Sequence, residues 1–169
     1  MGIIKKIVHF MSIIIYILIV VYALIWLPNI FGYKPLVILS GSMRPTYDVG
    51  TIIYTKRVER ENIKKGDIIT YVLDNSYVSH RVEDIIDNEY VTKGDANNSV
   101  DMLKVKYEKI IGKNYDITIK YLGYYIKFVG EHLYLLTIVI LILGTEFLLA
   151  NRENFGINIS DKGGKENEK

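Results

Sequence analysis

Hydrophobic and polar positions divide the chain into four stretches of different character. From Ile7 to Tyr33 no Asp, Glu, Lys or Arg occurs, and Phe10 to Leu27 is eighteen mostly apolar residues. That approaches the ~20 residues a helix needs to cross a bilayer. From Gly32 to about Tyr115 the pattern breaks into short runs rich in Tyr, Ile, Val and Thr, the residues that favour a pleated sheet. Strands are predicted at Leu36–Leu39, Thr51–Val58, Asp67–Leu73, Val78–Ile86, Glu89–Thr92 and Ile110–Tyr115. The breaks are Lys65-Gly66-Asp67, Asp74-Asn75 and Asp87-Asn88, and the last two have the composition of hairpin turns. Residues 117–132 carry Tyr121, Tyr124, Tyr125 and Phe128 with Lys120 and Lys127 between them. Leu133 to Leu149 is a second apolar run, interrupted only by Glu146.

The expected architecture is mainly β: a small antiparallel sheet domain flanked by two transmembrane helices. Its parts are an anchor over 1–31, an extracytoplasmic β domain over 32–116 and a juxtamembrane segment over 117–132. A second span over 133–150 and a disordered polar tail over 151–169 complete it. The first apolar run ends in Trp26-Leu27-Pro28-Asn29 with no small-residue cleavage site, so it reads as an uncleaved anchor. Lys5 and Lys6 place its start in the cytoplasm, and Trp26 falls where an outer interfacial aromatic belongs. The β domain then lies outside and the tail inside.

Composition narrows the chemistry. Mean hydropathy is +0.17 and half of the 169 residues are hydrophobic, as membrane segments require. There is no cysteine, so neither disulfides nor thiolate catalysis arises. Between Lys34 and Glu131 fifteen Lys and Arg face fourteen Asp and Glu, so the domain carries no basic footprint for nucleic acid. Next to a membrane run, the basic-aromatic segment reads as interfacial rather than as a surface for single-stranded nucleic acid. The scattered histidines imply no metal, and no nucleotide or other cofactor is expected.

One block stands out. Leu39-Ser40-Gly41-Ser42-Met43-Arg44-Pro45-Thr46 ends a β-prone run on small residues and offers the hydroxyl of Ser42 on a bend restrained by Pro45. A nucleophilic serine needs that exposure and rigidity. His9 and His132 sit at the ends of the apolar runs, which leaves His80, in Ser79-His80-Arg81-Val82, as the candidate base. Lys93-Gly94-Asp95-Ala96-Asn97-Asn98-Ser99-Val100-Asp101 offers two carboxylates, Asp95 and Asp101, either of which could orient the imidazole.

These three blocks, in this order and spacing, resemble the ER-type signal peptidase I family of serine peptidases, over Leu36 to Gly112. The resemblance implies a Ser-His-Asp site of Ser42, His80 and an aspartate. Asp101 matches the likelier triad member, and Asp95 matches a carboxylate that supports the site. Ser40 matches a serine whose hydroxyl helps bind the oxyanion in related bacterial enzymes, beside the Ser42 backbone N–H; a strand-end serine bonding its own backbone is the other reading. Met43 is expected against substrate. The family's Gly-Asp-Asn-Asn pattern appears here as Gly94-Asp95-Ala96-Asn97-Asn98, which leaves open which asparagine orders the loop. Asn97-Asn98-Ser99 is formally a glycosylation sequon, but its place beside the site argues against a glycan.

By the same resemblance the partners are secretory preproteins with small residues just before the cut and two positions earlier. The lipid bilayer and association with the secretion machinery complete the set. The location is the cell membrane, or the ER membrane in a eukaryote. Two alternatives remain: a repressor-type self-processing peptidase, which shares Ser-Met-x-Pro but uses lysine, and a non-catalytic membrane-tethered β module.

Overall fold

The computed structural model describes residues 2–150, so the tail expected to be disordered lies outside the described residues. The chain divides into two compact units. One comprises the residues up to Ile15 together with those from His132 onward, and the other is Tyr16–Glu131.

Helix α1 (Gly2–Trp26) begins in the first unit and ends in the second. No charge interrupts it after Lys6, and the stretch His9–Phe31 has the length and hydropathy of a membrane span. It is the one such stretch among the described residues. The second apolar run also forms a helix, α3 (Leu133–Ala150), in the first unit. A short 3-10 turn, Leu27–Phe31, starts with Pro28 in its first turn, where a missing N–H costs nothing, and closes on Gly32 at φ +83°.

The second unit is built on a six-stranded sheet: β1 (Tyr33–Val37), β2 (Ile52–Lys56), β3 (Ile68–Leu73), β4 (Ser76–Ile86), β5 (Glu89–Lys93) and β6 (Ile110–Ile119). All neighbours are antiparallel, in the order β1-β2-β6-β3-β4-β5. Both predicted hairpin turns are tight: Asp74, Asn75, Asp87 and Asn88 all have positive φ, the pairwise condition of a type I′ turn. That fixes β3–β4 so that Ile69 lies opposite His80, and β4–β5 so that Val82 lies opposite Thr92. Tyr71, two residues beyond Ile69, therefore shares a face with His80 and Thr92, whereas Arg81 points to the other face.

β6 runs four residues past the predicted strand, and Ile119 and Thr118 pair with Ile52 and Ile53 of β2. The aromatic segment after it folds into helix α2 (Gly123–Glu131). Its Gly123 donates its backbone N–H to the Gly50 carbonyl at 2.9 Å, and a Cβ on Gly123 would lie 2.6 Å from that oxygen. Within the same unit Tyr125 donates to the Leu18 carbonyl at 2.8 Å and Tyr54 to the Ile25 carbonyl at 3.0 Å. Ile25, Ile52 and Tyr54 form the buried cluster around these bonds. The C-terminal end of α1 is thus part of the β domain's own core.

Two further clusters fill the sheet. Ile63, Ile69, Tyr71, Val82, Tyr90, Val105 and Ile110 form one, and Ile38, Met43, Tyr47, Ile53 and Ile68 the other. The second holds the Ser42 loop against the sheet, because Met43 and Tyr47 bracket the bend.

Candidate active site

Ser42 lies on the turn after β1. Ile38 ties the start of that turn to Thr51 by a backbone bond of 2.9 Å, and Tyr47 N–H closes its end on the Met43 carbonyl at 2.9 Å. The turn packs on the loop after β5: Ala96 N–H donates to the Ser42 carbonyl at 2.8 Å, and a Cβ on Gly94 would come within 2.6 Å of that same oxygen. Only glycine at 94 permits so close an approach. Asn97 packs on Gly94, with its backbone N–H on the Gly94 carbonyl at 2.8 Å.

Ser42, His80 and Asp101 form a hydrogen-bonded series. Ser42 Oγ lies 3.2 Å from His80 Nε2, and His80 Nδ1 lies 2.6 Å from Asp101 Oδ2. His80 is buried in mid-β4 and Asp101 follows the loop after β5, its N–H held by the Thr92 carbonyl at 2.8 Å. Such a series lets an imidazole with its proton on Nδ1 accept the serine proton at Nε2. Asp101 Oδ2 also accepts the Thr92 hydroxyl at 2.6 Å and the Tyr71 hydroxyl at 3.2 Å. Burial, with the Asp101 carboxylate beside it, pushes the Tyr71 phenol up to about 12, although the Thr92 hydroxyl works the other way; Tyr71 is a donor throughout the working range. Tyr71 and Thr92 carry no motif in the sequence, and only the strand register points to them.

Asp95 stands elsewhere. It takes two bonds from Arg81, Nε to Oδ1 at 2.8 Å and Nη2 to Oδ2 at 2.7 Å, and the Thr46 hydroxyl also donates to it. Arg81 Nη1 reaches the Gly66 carbonyl at 2.8 Å. Burial is the largest single influence on Asp95 and would raise its pKa. The hydrogen bonds from Arg81 and Thr46 and the guanidinium charge together outweigh it, and the carboxyl ends below its usual range. The two carboxylates of one loop thus serve opposite faces of β4.

Ser40 Oγ lies 3.3 Å from Ser42 Oγ, within reach of an oxygen developing beside the nucleophile. Met43 is only 1 % exposed and packs with Ile38, Tyr47, Ile53 and Ile68, so it meets the groove as part of its floor. That groove, of about 1240 Å³, runs past Ser42 and His80, with Leu36–Leu39 along one wall and Met102 and Leu103 on another. Among the described residues no group of three or more His, Asp or Glu could hold a metal ion.

A serine, an imidazole and a carboxylate in series, on a sheet beside an open, largely apolar groove, define a serine hydrolase. Residues 7–105 match the family described as signal peptidase, peptidase S26. The chain is 34% identical to signal peptidase I W of Bacillus subtilis over 120 residues, 63% of each protein. It is also 34% identical to the signal peptidase complex catalytic subunit SEC11 of Candida tropicalis over 136 residues, 71% of this chain and 80% of that one. The corresponding subunit of Candida dubliniensis is 30% identical over 135 residues, with 71% and 80% covered. The chain belongs to the signal peptidase family, peptidase S26. It is similar both to a bacterial signal peptidase I and to catalytic subunits of signal peptidase complexes.

Proposed function

We propose that this signal peptidase cuts signal peptides from secretory preproteins with Ser42 as nucleophile, His80 as general base and acid, and Asp101 as the carboxylate that orients the imidazole. Ser42 Oγ attacks the scissile carbonyl carbon as its proton passes to His80 Nε2. The tetrahedral oxyanion is met by the Ser42 backbone N–H and the Ser40 hydroxyl. His80 then protonates the departing amine, and the acyl-enzyme is hydrolysed by water activated in the same way. Asp95, held by Arg81 and Thr46, keeps the two loops of the site in register. The observation that carries this reading is the continuous series from Ser42 Oγ through His80 to Asp101 Oδ2.

The preprotein lies extended in the groove along Leu36–Ser40, where the free edge of β1 offers backbone partners and shallow pockets for alternate side chains. Small side chains just before the cut and two residues earlier suit such pockets. The anchor, docked into the domain at Ile25, holds the groove close to the bilayer surface. Residues 1–31 anchor the chain and 133–150 cross the membrane again. The sheet domain lies outside and both termini inside, at the cell membrane or, in a eukaryote, the ER membrane, beside the secretion machinery. The Ser42–His80 contact and the family membership favour this over a repressor-type peptidase or a non-catalytic module.

The test is cleavage of one model preprotein by the purified full chain in detergent. Wild type cuts at a single site after a small residue, and Ser42→Ala inserts normally but does not cut. Full activity in that variant overturns the assignment.

A further inference from the structure

Asp101 accepts more than its histidine. Three donors converge on one of its oxygens, Oδ2: His80 Nδ1 at 2.6 Å, the Thr92 hydroxyl at 2.6 Å and the Tyr71 hydroxyl at 3.2 Å. The two hydroxyls are also 3.3 Å apart. Thr92 is fully buried and Tyr71 is 3% exposed, so neither hydroxyl has bulk water as an alternative partner. Tyr71 also meets the imidazole edge-on, with ring centres 6.4 Å apart. Three strands and one loop are therefore spent on holding a single carboxylate oxygen.

We propose that Tyr71 and Thr92 are positioning residues that set the basicity of His80 by drawing charge from Asp101. A carboxylate oxygen that already accepts two hydroxyls presents less negative charge to the imidazole. The Nδ1 proton then stays on His80, which keeps Nε2 free to accept from Ser42. The imidazolium is also less stabilised than it would be by a bare carboxylate. Across β4 lie Arg81 and Asp95, and Lys104, Lys106, Lys109 and Lys127 line the same groove as His80. Arg81 and Asp95 are paired with each other by two bonds. Tyr71 and Thr92 are the uncharged groups that act on the counter-ion itself.

This inference rests on the triad reading, and the experiment separates the two. The acid limb of kcat/KM against pH, measured with the full chain in detergent on a synthetic preprotein, reports the protonation of the free enzyme's base. Tyr71→Phe keeps the ring and removes one donor. It should move the acid limb up by about half a pH unit, as expected when one charge-assisted hydrogen bond leaves the imidazole's counter-ion. Thr92→Val should move it in the same direction and lower kcat, whereas Thr92→Ser, which restores the hydroxyl, should return both toward wild type. A role confined to packing would lower stability or turnover without moving the limb. Should Thr92→Val not fold, Tyr71→Phe decides alone. A limb that stays in place, or moves to lower pH, in the folded variants overturns the inference. Asp101→Asn is the control: inactive alongside an unmoved limb, it leaves the triad standing and sinks only the role of the hydroxyls. Fully active, it sinks both.

Discussion

Asp95→Asn should weaken the fold by an amount that depends on pH in a defined direction. The side chain is 13% exposed and its partner Arg81 32% exposed, so the pair is neither free in water nor sealed. Removing one partner of a fully buried ion pair costs about 3–5 kcal/mol. Solvent around Arg81 screens part of that, and asparagine keeps one acceptor oxygen while turning an NH₂ toward the guanidinium. One charge-assisted bond is lost outright, worth about 1.5–3 kcal/mol. The expected cost is about 2 kcal/mol at neutral pH, roughly 8–16 °C in Tm for a domain of this size. The Asp95 carboxyl is held below its usual range by Arg81 and Thr46 against the opposing effect of burial. Its ionised form therefore stabilises the folded state above the unfolded carboxylate pKa, about 3.9, and that contribution disappears as pH falls through the lower folded value. Wild type and Asp95→Asn should differ most near pH 7 and converge on acidification. The assay is thermal unfolding of both in the same detergent from pH 7 to pH 3. Turnover should fall by roughly 10- to 100-fold, the effect of a loosened support, because Ala96 and Gly94 tie this loop to Ser42. A stability gap that is unchanged or wider at pH 3 refutes the reasoning, and a variant that is dead yet fully stable means Asp95 belongs to the triad.

Other predictions concern the series itself and the topology. Asp101→Asn keeps the shape but favours the wrong imidazole tautomer, so kcat should fall by roughly 10⁴ with little change in Tm; activity near wild type would remove Asp101 from the mechanism. His80→Lys should be almost inactive at neutral pH in the preprotein assay, because Asp101 would hold the ammonium charged where a base must be neutral; substantial cleavage contradicts a site built for imidazole. Cysteines introduced at Asn75 and Lys165 should label from opposite faces of the membrane, whereas labelling from one face means that 133–150 does not span.

Much of the sheet was legible because its signals are local. Asp74-Asn75 and Asp87-Asn88 accept positive φ readily, so the hairpins they close follow from the dipeptides themselves. Short runs rich in Ile, Val, Tyr and Thr between turn signals placed all six strands to within a few residues, and an uncharged run marked α1. Three features depend on contacts distant in the chain and were invisible for that reason. β6 runs on to Ile119 because β2 supplies partners there, and α2 forms where Gly50 and Gly123 let a helix lie on the sheet. Met43, expected against substrate, packs with Ile38, Tyr47, Ile53 and Ile68 and lines the groove as part of its floor, a packing that no local signal shows.

The same division runs through the candidate site. Elimination among three histidines singled out His80, and small residues before a proline singled out Ser42, because exposed chemistry on a rigid bend leaves a local trace. Residue chemistry alone does not tell Asp95 from Asp101, six positions apart in one loop; only the family resemblance favoured Asp101. Tertiary structure separates them: alternation along β4 sends His80 to one face and Arg81 to the other, and each takes the carboxylate its face can reach. Tyr71 and Thr92 have no signature at all, since a strand tyrosine and a strand threonine look alike wherever they occur. Only the register of β3 and β5 against β4 brings their hydroxyls to one oxygen of Asp101, because pairing across a sheet is a property of the folded chain.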